Sequence, residues 1–224
     1  MNSTMDQIKD FLIVGGPVVW ILLGFSVVAV TIVLAKTWQL TTLRAESRKS
    51  VDAALDAWRN RDIDGALAKL SDKRPVESIV AYSMDALRHA NRDVATVREE
   101  AERRALNVLH DLRSFLRPME IIASLSPLLG LLGTVLGMIT AFQQMEAAGS
   151  QVDPSVLSGG IWQALLTTAV GIAVAIPVVA MHAWLERKVE RVAHIMNDAV
   201  TQVFTSKEGE RLAAVAARGV LHAA

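Results

Sequence analysis

Residues Ile121 to Met145 read IIASLSPLLGLLGTVLGMITAFQQM, bounded by Glu120 and Glu146 with no charge between them. A helix needs about 20 predominantly apolar residues to cross a bilayer's hydrocarbon core, and this stretch is long enough. It is more than a plain anchor. Gly130, Gly133, Thr134, Gly137 and Ala141 recur at helical spacing, which places small residues along one side of the helix. Lipid tails are as apolar as leucine, so helices in a bilayer associate through faces where small residues let backbones approach closely. Gly133 and Gly137 form a GxxxG pair of that kind. The stretch therefore predicts a membrane helix that packs against another helix.

Working outward, two more uncharged runs follow the same rule. Phe11 to Ala35 lies between Asp10 and Lys36; Pro154 to Leu185 lies between Asp153 and Glu186, with its apolar part starting near Ile161. The first run is too long for a signal-peptide core and no small-residue cleavage site follows it. It reads as a retained, lipid-facing anchor. Basic residues set the orientation: sixteen Lys/Arg fall between Lys36 and Arg117 and six more after Glu186, against Lys9 alone before the first span and none between Glu146 and Ser158. Positive residues stay on the cytoplasmic side. The expected layout is a periplasmic N-terminus (1–10), a first span (11–35), a cytoplasmic helical region (36–117), a second span (118–145), a periplasmic loop (146–158), a third span (159–185) and a cytoplasmic helix and tail (186–224). That is an all-α inner-membrane protein with three spans, the second and third extended into a cytoplasmic helical bundle.

The polar regions read as helices without catalytic equipment. Val51, Ala54, Leu55 and Trp58 recur at helical spacing, and Pro75 suits a first helical position. Asp93 is placed as the N-cap of a long helix striped by Val94, Val97, Ala101, Ala105, Val108, Leu112 and Phe115. Only Pro118 interrupts that stripe before the second span. The third span is expected to continue through Val189, Val192, Met196, Ala199 and Val203, and the chain after Lys207 to be loosely held. The 224 residues carry no cysteine and a net charge of zero, which excludes disulfides and thiolate chemistry and gives no basis for nucleic-acid binding. The histidines (His89, His110, His182, His194, His222) show no metal-ligand spacing, and the glycines of the second span lack the GK[ST] of a phosphate loop. No enzyme activity, metal or cofactor is expected.

The third span mirrors the second: Gly160, Ala164, Thr167, Thr168, Gly171 and Ala175 form another small face. Thr134, Thr167, Thr168 and Gln163 are the polar members of the two spans, and they are the candidates for an ion path. A threonine hydroxyl can bond to the preceding turn, whereas an amide facing lipid is costly. Thr134 and Thr168 fall at comparable central depths, with Gln163 about 7 Å nearer the outside at ~1.5 Å per residue. Pro127 and Pro177 remove helix hydrogen bonds and are candidate kinks, compatible with shaping a pore or with bending around a neighbour. No Asp, Glu, Lys, Arg or His lies near the middle of any span. A proton relay needs a group that changes charge, so a proton path here calls for a carboxylate from another chain.

The run from Ser126 to Phe142 resembles the second-span signature of the MotA/TolQ/ExbB proton channel family, and Gly160 to Pro177 resembles its third-span signature. Three spans with an outer N-terminus are similar to the ExbB/TolQ branch. The resemblance implies a homopentamer around a single-span ExbD- or TolR-like protein that supplies the intramembrane aspartate. It also implies that proton-motive force is passed to a TonB- or TolA-like periplasmic effector. Family pore threonines correspond to Thr134 and Thr168. The family commonly has glutamate where this chain has Gln163, which cannot titrate, and Na⁺ coupling stays open. The rival reading is a non-conducting scaffold that holds partner chains in the bilayer.

Overall fold

The computed structural model describes residues 15–43, 48–89, 93–148 and 154–223, and the side chains of all of these except 148, 154–156 and 216–223. The expected N-terminal segment, residues 11–14 of the first span and the centre of the loop between spans two and three lie outside the described residues. The described elements are helices: α1 (Gly16–Thr42), α2 (Lys49–Arg59), α3 (Ile63–Ala68), α4 (Pro75–Arg88), α5 (Val94–Arg113), α6 (Leu116–Ala148), α7 (Pro154–Thr205) and α8 (Lys207–Ala223). Among the described residues three stretches are long and apolar enough to cross a membrane, one in each of α1, α6 and α7. The chain is thus an all-helical, multi-pass membrane protein.

It divides into two units. The first holds the residues up to Ala35 together with Phe115–Trp184, which carry the apolar spans. Here α6 and α7 are antiparallel neighbours, because successive contacts climb one helix and descend the other: Ser126 with Gly171, Gly130 with Thr168, Gly137 with Ala164, Ala141 with Gly160. The first helix runs alongside α7 in the same direction. Gly16 meets Gln163, and farther along an apolar cavity of about 490 Å³ lies between Ala29 and Val33 of α1 and Ala173 and Pro177 of α7. The first span is mostly exposed, as a lipid-facing anchor would be, and it also packs one narrow stripe against protein. Val18, Val19, Leu22 and Ala29 are buried in that stripe, and much of the remaining surface, with Trp20, Ile21, Val27, Val28 and Leu34, is exposed. A run that is apolar all round has no polar stripe to mark which side meets protein.

The second unit comprises Lys36–Ser114 and the chain from Leu185 onward. Its core holds most of the residues the spacing predicts: Val51, Ala54, Leu55 and Trp58 of α2, Val97, Ala101 and Leu112 of α5, and Val189, Val192, Met196, Ala199 and Val203 of α7 are buried, whereas Val94, Ala105 and Val108 of the expected stripe are half-buried and Phe115 is exposed. Trp58 Nε1 donates to Val203 O (3.2 Å) and Ser206 Oγ (2.9 Å), so its buried polar atom is satisfied. Pro75 opens α4 at the first helical position, as expected. Arg98 lies over the Phe204 ring at 5.2 Å and Arg104 over Tyr82 at 3.9 Å, which ties α5 to α7 and α4 by cation–π attraction.

Four local expectations are revised. Asp93 occupies the N-cap position of α5, but its side chain makes no capping bond. The break between α5 and α6 is not at Pro118: it falls at Ser114 and Phe115, where Phe115 adopts a left-handed φ of 66°. Breaking the helix there leaves Pro118 in the first turn of α6, where a missing N–H costs nothing because the first-turn donors are unpaired. The third-span helix is one piece from Pro154 to Thr205; it starts inside the expected loop, and α6 runs on to Ala148. Finally, the chain after Lys207 is helix α8. Ser206 caps it by accepting from Gly209 N (3.1 Å), and a Cβ on Gly209 would collide with Val203 O. Glu208, 2% exposed, is held by Arg211 and Arg61.

Candidate functional site

The face between α6 and α7 begins with glycine. A Cβ on Gly171 would lie 2.6 Å from Ser126 O, and one on Gly130 would lie 3.0 Å from Thr167 O and from Thr168 Cα. At Gly133 it would meet Thr167 Oγ1 at 2.5 Å, and at Gly160 it would meet Ala141 Cβ. Gly137 is looser, 3.2 Å from Ala164 Cβ. The two small faces thus pack against one another within one chain, at distances that larger residues would not permit. Ala164 and Ala141 are buried at this contact, and Ala175 is buried on α7 one turn beyond Gly171. Pro127 and Pro177 lie inside α6 and α7 without ending either helix.

The threonines separate into two kinds. Thr167 is 2% exposed; its hydroxyl donates to Ala164 O (2.8 Å) and reaches Gly130 O (3.3 Å). It fills the seam between the two helices. Thr168, the next residue, is turned about 100° around the helix and is half-buried, with its hydroxyl donating across to Gly130 O at 3.2 Å. Thr134 is also half-buried and donates to Leu131 O at 2.6 Å. It follows Gly133, which packs on Thr167, so the helix register sets Thr134 and Thr168 within about one turn of the same depth. Both keep an oxygen available at the edge of the α6–α7 seam. Their protons are spent on carbonyls, so each can accept a hydrogen bond or face a cation without leaving a donor unpaired.

Gln163 lies near the start of α1. It is half-buried, and its Nε2 lies 3.5 Å from the point a Cβ on Gly16 would occupy, at the start of α1. The uncharged character of these spans holds: no Asp, Glu, Lys or Arg occurs in 121–145 or 154–185. Among the described residues no group of His, Asp and Glu could hold a metal ion.

Two further residues matter and were not singled out by sequence reasoning. Ser126 is fully buried, donates to Ile122 O (2.6 Å) and presents its carbonyl to Gly171. Lys36 entered the sequence argument only as a charge that ends the first span. It is 4% exposed, and its ammonium donates to Gln39 Oε1 (2.9 Å), Asp111 O (3.2 Å), Leu112 O (3.2 Å) and Ser114 Oγ (3.0 Å). It therefore caps the C-terminal end of α5, where unpaired carbonyls and the helix dipole favour a cation. No sequence signal marks this, because the partners are some 75 residues away.

Comparison with known proteins agrees with this architecture. Biopolymer transport protein exbB1 of Vibrio cholerae is 40% identical over 92 residues, which are 39% of this chain and 40% of that protein. An ExbB-like biopolymer transport protein of Synechocystis sp. is 31% identical over 163 residues, 72% of this chain and 77% of that protein. The Tol-Pal system protein TolQ of Haemophilus influenzae is 27% identical over 187 residues, 78% and 80% of the two chains. The pattern of a single family spans residues 71–198, a stretch that contains both small faces and the three threonines. Because that match covers more than half of the chain and takes in the entire α6–α7 seam, the chain belongs to the MotA/TolQ/ExbB proton channel family, in its ExbB/TolQ branch.

Proposed function

We propose that this chain is the channel-wall subunit of an inner-membrane motor, with its N-terminus periplasmic and its C-terminus cytoplasmic. Five copies surround a single-span partner of the ExbD or TolR kind, and ion flow is passed to a TonB- or TolA-like periplasmic effector. The observation that carries this reading is the pair of half-buried hydroxyls, Thr134 and Thr168, at matching depth beside a seam of glycines in otherwise uncharged spans. Such a wall can pass a proton or a small cation but supplies no titrating group, so the partner brings the carboxylate. The driving force is sufficient, since one charge crossing 100 mV releases about 2.3 kcal/mol. Names of relatives such as biopolymer transport protein and Tol-Pal system protein support a role in energising the cell envelope.

Thr168→Val tests the reading. The change keeps the side-chain shape, and Gly130 O keeps Thr167 as a partner, so assembly with the partner chain should survive. Flux in proteoliposomes under an imposed gradient should fall to background. Wild-type flux would remove Thr168 from the path and leave the scaffold reading in its place.

A further inference from the structure

We propose that the groove between α1 and α7 holds one acyl chain of a membrane phospholipid, in the leaflet reached by the Ala35 and Trp184 ends of these helices. Calling it the inner leaflet rests on the proposed orientation of the chain. The groove runs from Ser26 to Leu34 on α1 and from Val170 to Met181 on α7. At 1.5 Å per residue that is about 12 Å and about 16 Å of helix, and one leaflet supplies roughly half of a hydrocarbon core about 30 Å thick. Its depth agrees with its length. The uncharged runs end at Lys36 and Glu186, just beyond Leu34 and Met181, and exposed tryptophans follow those last lining residues, Trp38 on α1 and Trp184 on α7. Tryptophans gather at headgroup level. Apart from Ser26, at the end nearer the bilayer centre, the lining side chains are apolar. Water finds no polar partners there, and an empty gap would forfeit dispersion contacts along both walls. The space is slender. About 490 Å³ over that length averages a section of about 30 Å², against roughly 80 Å² for a helix 10 Å across. A hydrocarbon chain fits it where a partner helix does not, and exposed Leu34 on the rim leaves it open from the side.

The test uses the full-length protein with its partner chain in vesicles of phosphatidylethanolamine, a fraction of which carries a diazirine midway along one acyl chain. Illumination and peptide mass spectrometry should place lipid adducts on the groove walls several-fold above those at Val28, which is exposed but lies outside the groove. Ala173→Phe fills the groove from an exposed position and should cut the groove adducts several-fold. Ala173→Leu fills it less, should cut them less, and carries the test if the larger ring prevents assembly. Val28→Phe should leave them unchanged. A benzophenone amino acid at Leu34 should capture lipid. Adducts spread evenly over the exposed surface of α1, groove adducts unaffected by either Ala173 variant, or capture of a polypeptide at Leu34 would each overturn the proposal. None of these readings uses ion flux or orientation, so the result stands apart from a failure of the channel assignment.

Discussion

Gly171→Ala should separate α6 from α7, and its effect can be estimated from the contact itself. The added Cβ would lie 2.6 Å from Ser126 O, 3.1 Å from Gly130 Cα and 3.2 Å from Gly130 N. All three are backbone atoms, so no rotamer change relieves the collision and the helices must part. Overpacking of this kind costs about 1–3 kcal/mol. Alanine is also the better helix former by up to about 1 kcal/mol, which partly offsets the cost. Gly24→Ala is the internal control: a Cβ there meets nothing within 4 Å, and it carries the same propensity gain. The difference between the two variants isolates the packing cost, about 1–3 kcal/mol. Denaturant titration in mixed micelles, followed by tryptophan fluorescence, reads it. Gly137→Ala should fall between them, because its nearest neighbour is a side-chain methyl at 3.2 Å that can give way. Equal stabilities for Gly171→Ala and Gly24→Ala would refute the close contact between the small faces.

Lys36→Met should cost about 1.5–3 kcal/mol, the usual worth of hydrogen bonds to a charged group, since it uncovers the carbonyls of Asp111 and Leu112; hydrogen exchange at the end of α5 should rise. An unchanged exchange pattern there would mean that the cap is idle. The Arg211 guanidinium, with Arg61 nearby, holds the Glu208 carboxyl below its ordinary value of 4.5. A depressed folded-state pKa stabilises the protein above pH 4.5, and that contribution is lost as pH falls through the folded value. Thermal melts should therefore show an acid limb below that pH that is weakened in Glu208→Gln, and an identical limb in the variant would dismiss the pairing.

The core of the second unit was legible because Trp58, Val97 and Met196 belong to amphipathic runs, where hydrophobic period and burial coincide. The α8 start carried a signal as well: Ser206 is a favoured N-cap residue and Glu208 and Glu210 follow in the first turn, masked by the featureless alanine-rich tail that follows. Phe115 was hidden for another reason. Any aromatic prefers right-handed φ, so only the assembled chain puts the break there and not at Pro118.

By itself the sequence determined that the chain has three apolar spans, that two of them present small faces, and that no span holds a carboxylate near its middle. These are properties of length, charge and helical period, and each is local. Tertiary structure alone decided which side of each span meets a neighbour. It placed Thr167 in the seam and Thr168 at its edge, Gln163 against Gly16, and Lys36 on the end of a helix far along the chain. The physical reason is rotational. Adjacent residues differ by about 100° around a helix, and an apolar run leaves that angle unmarked until a second helix packs against it.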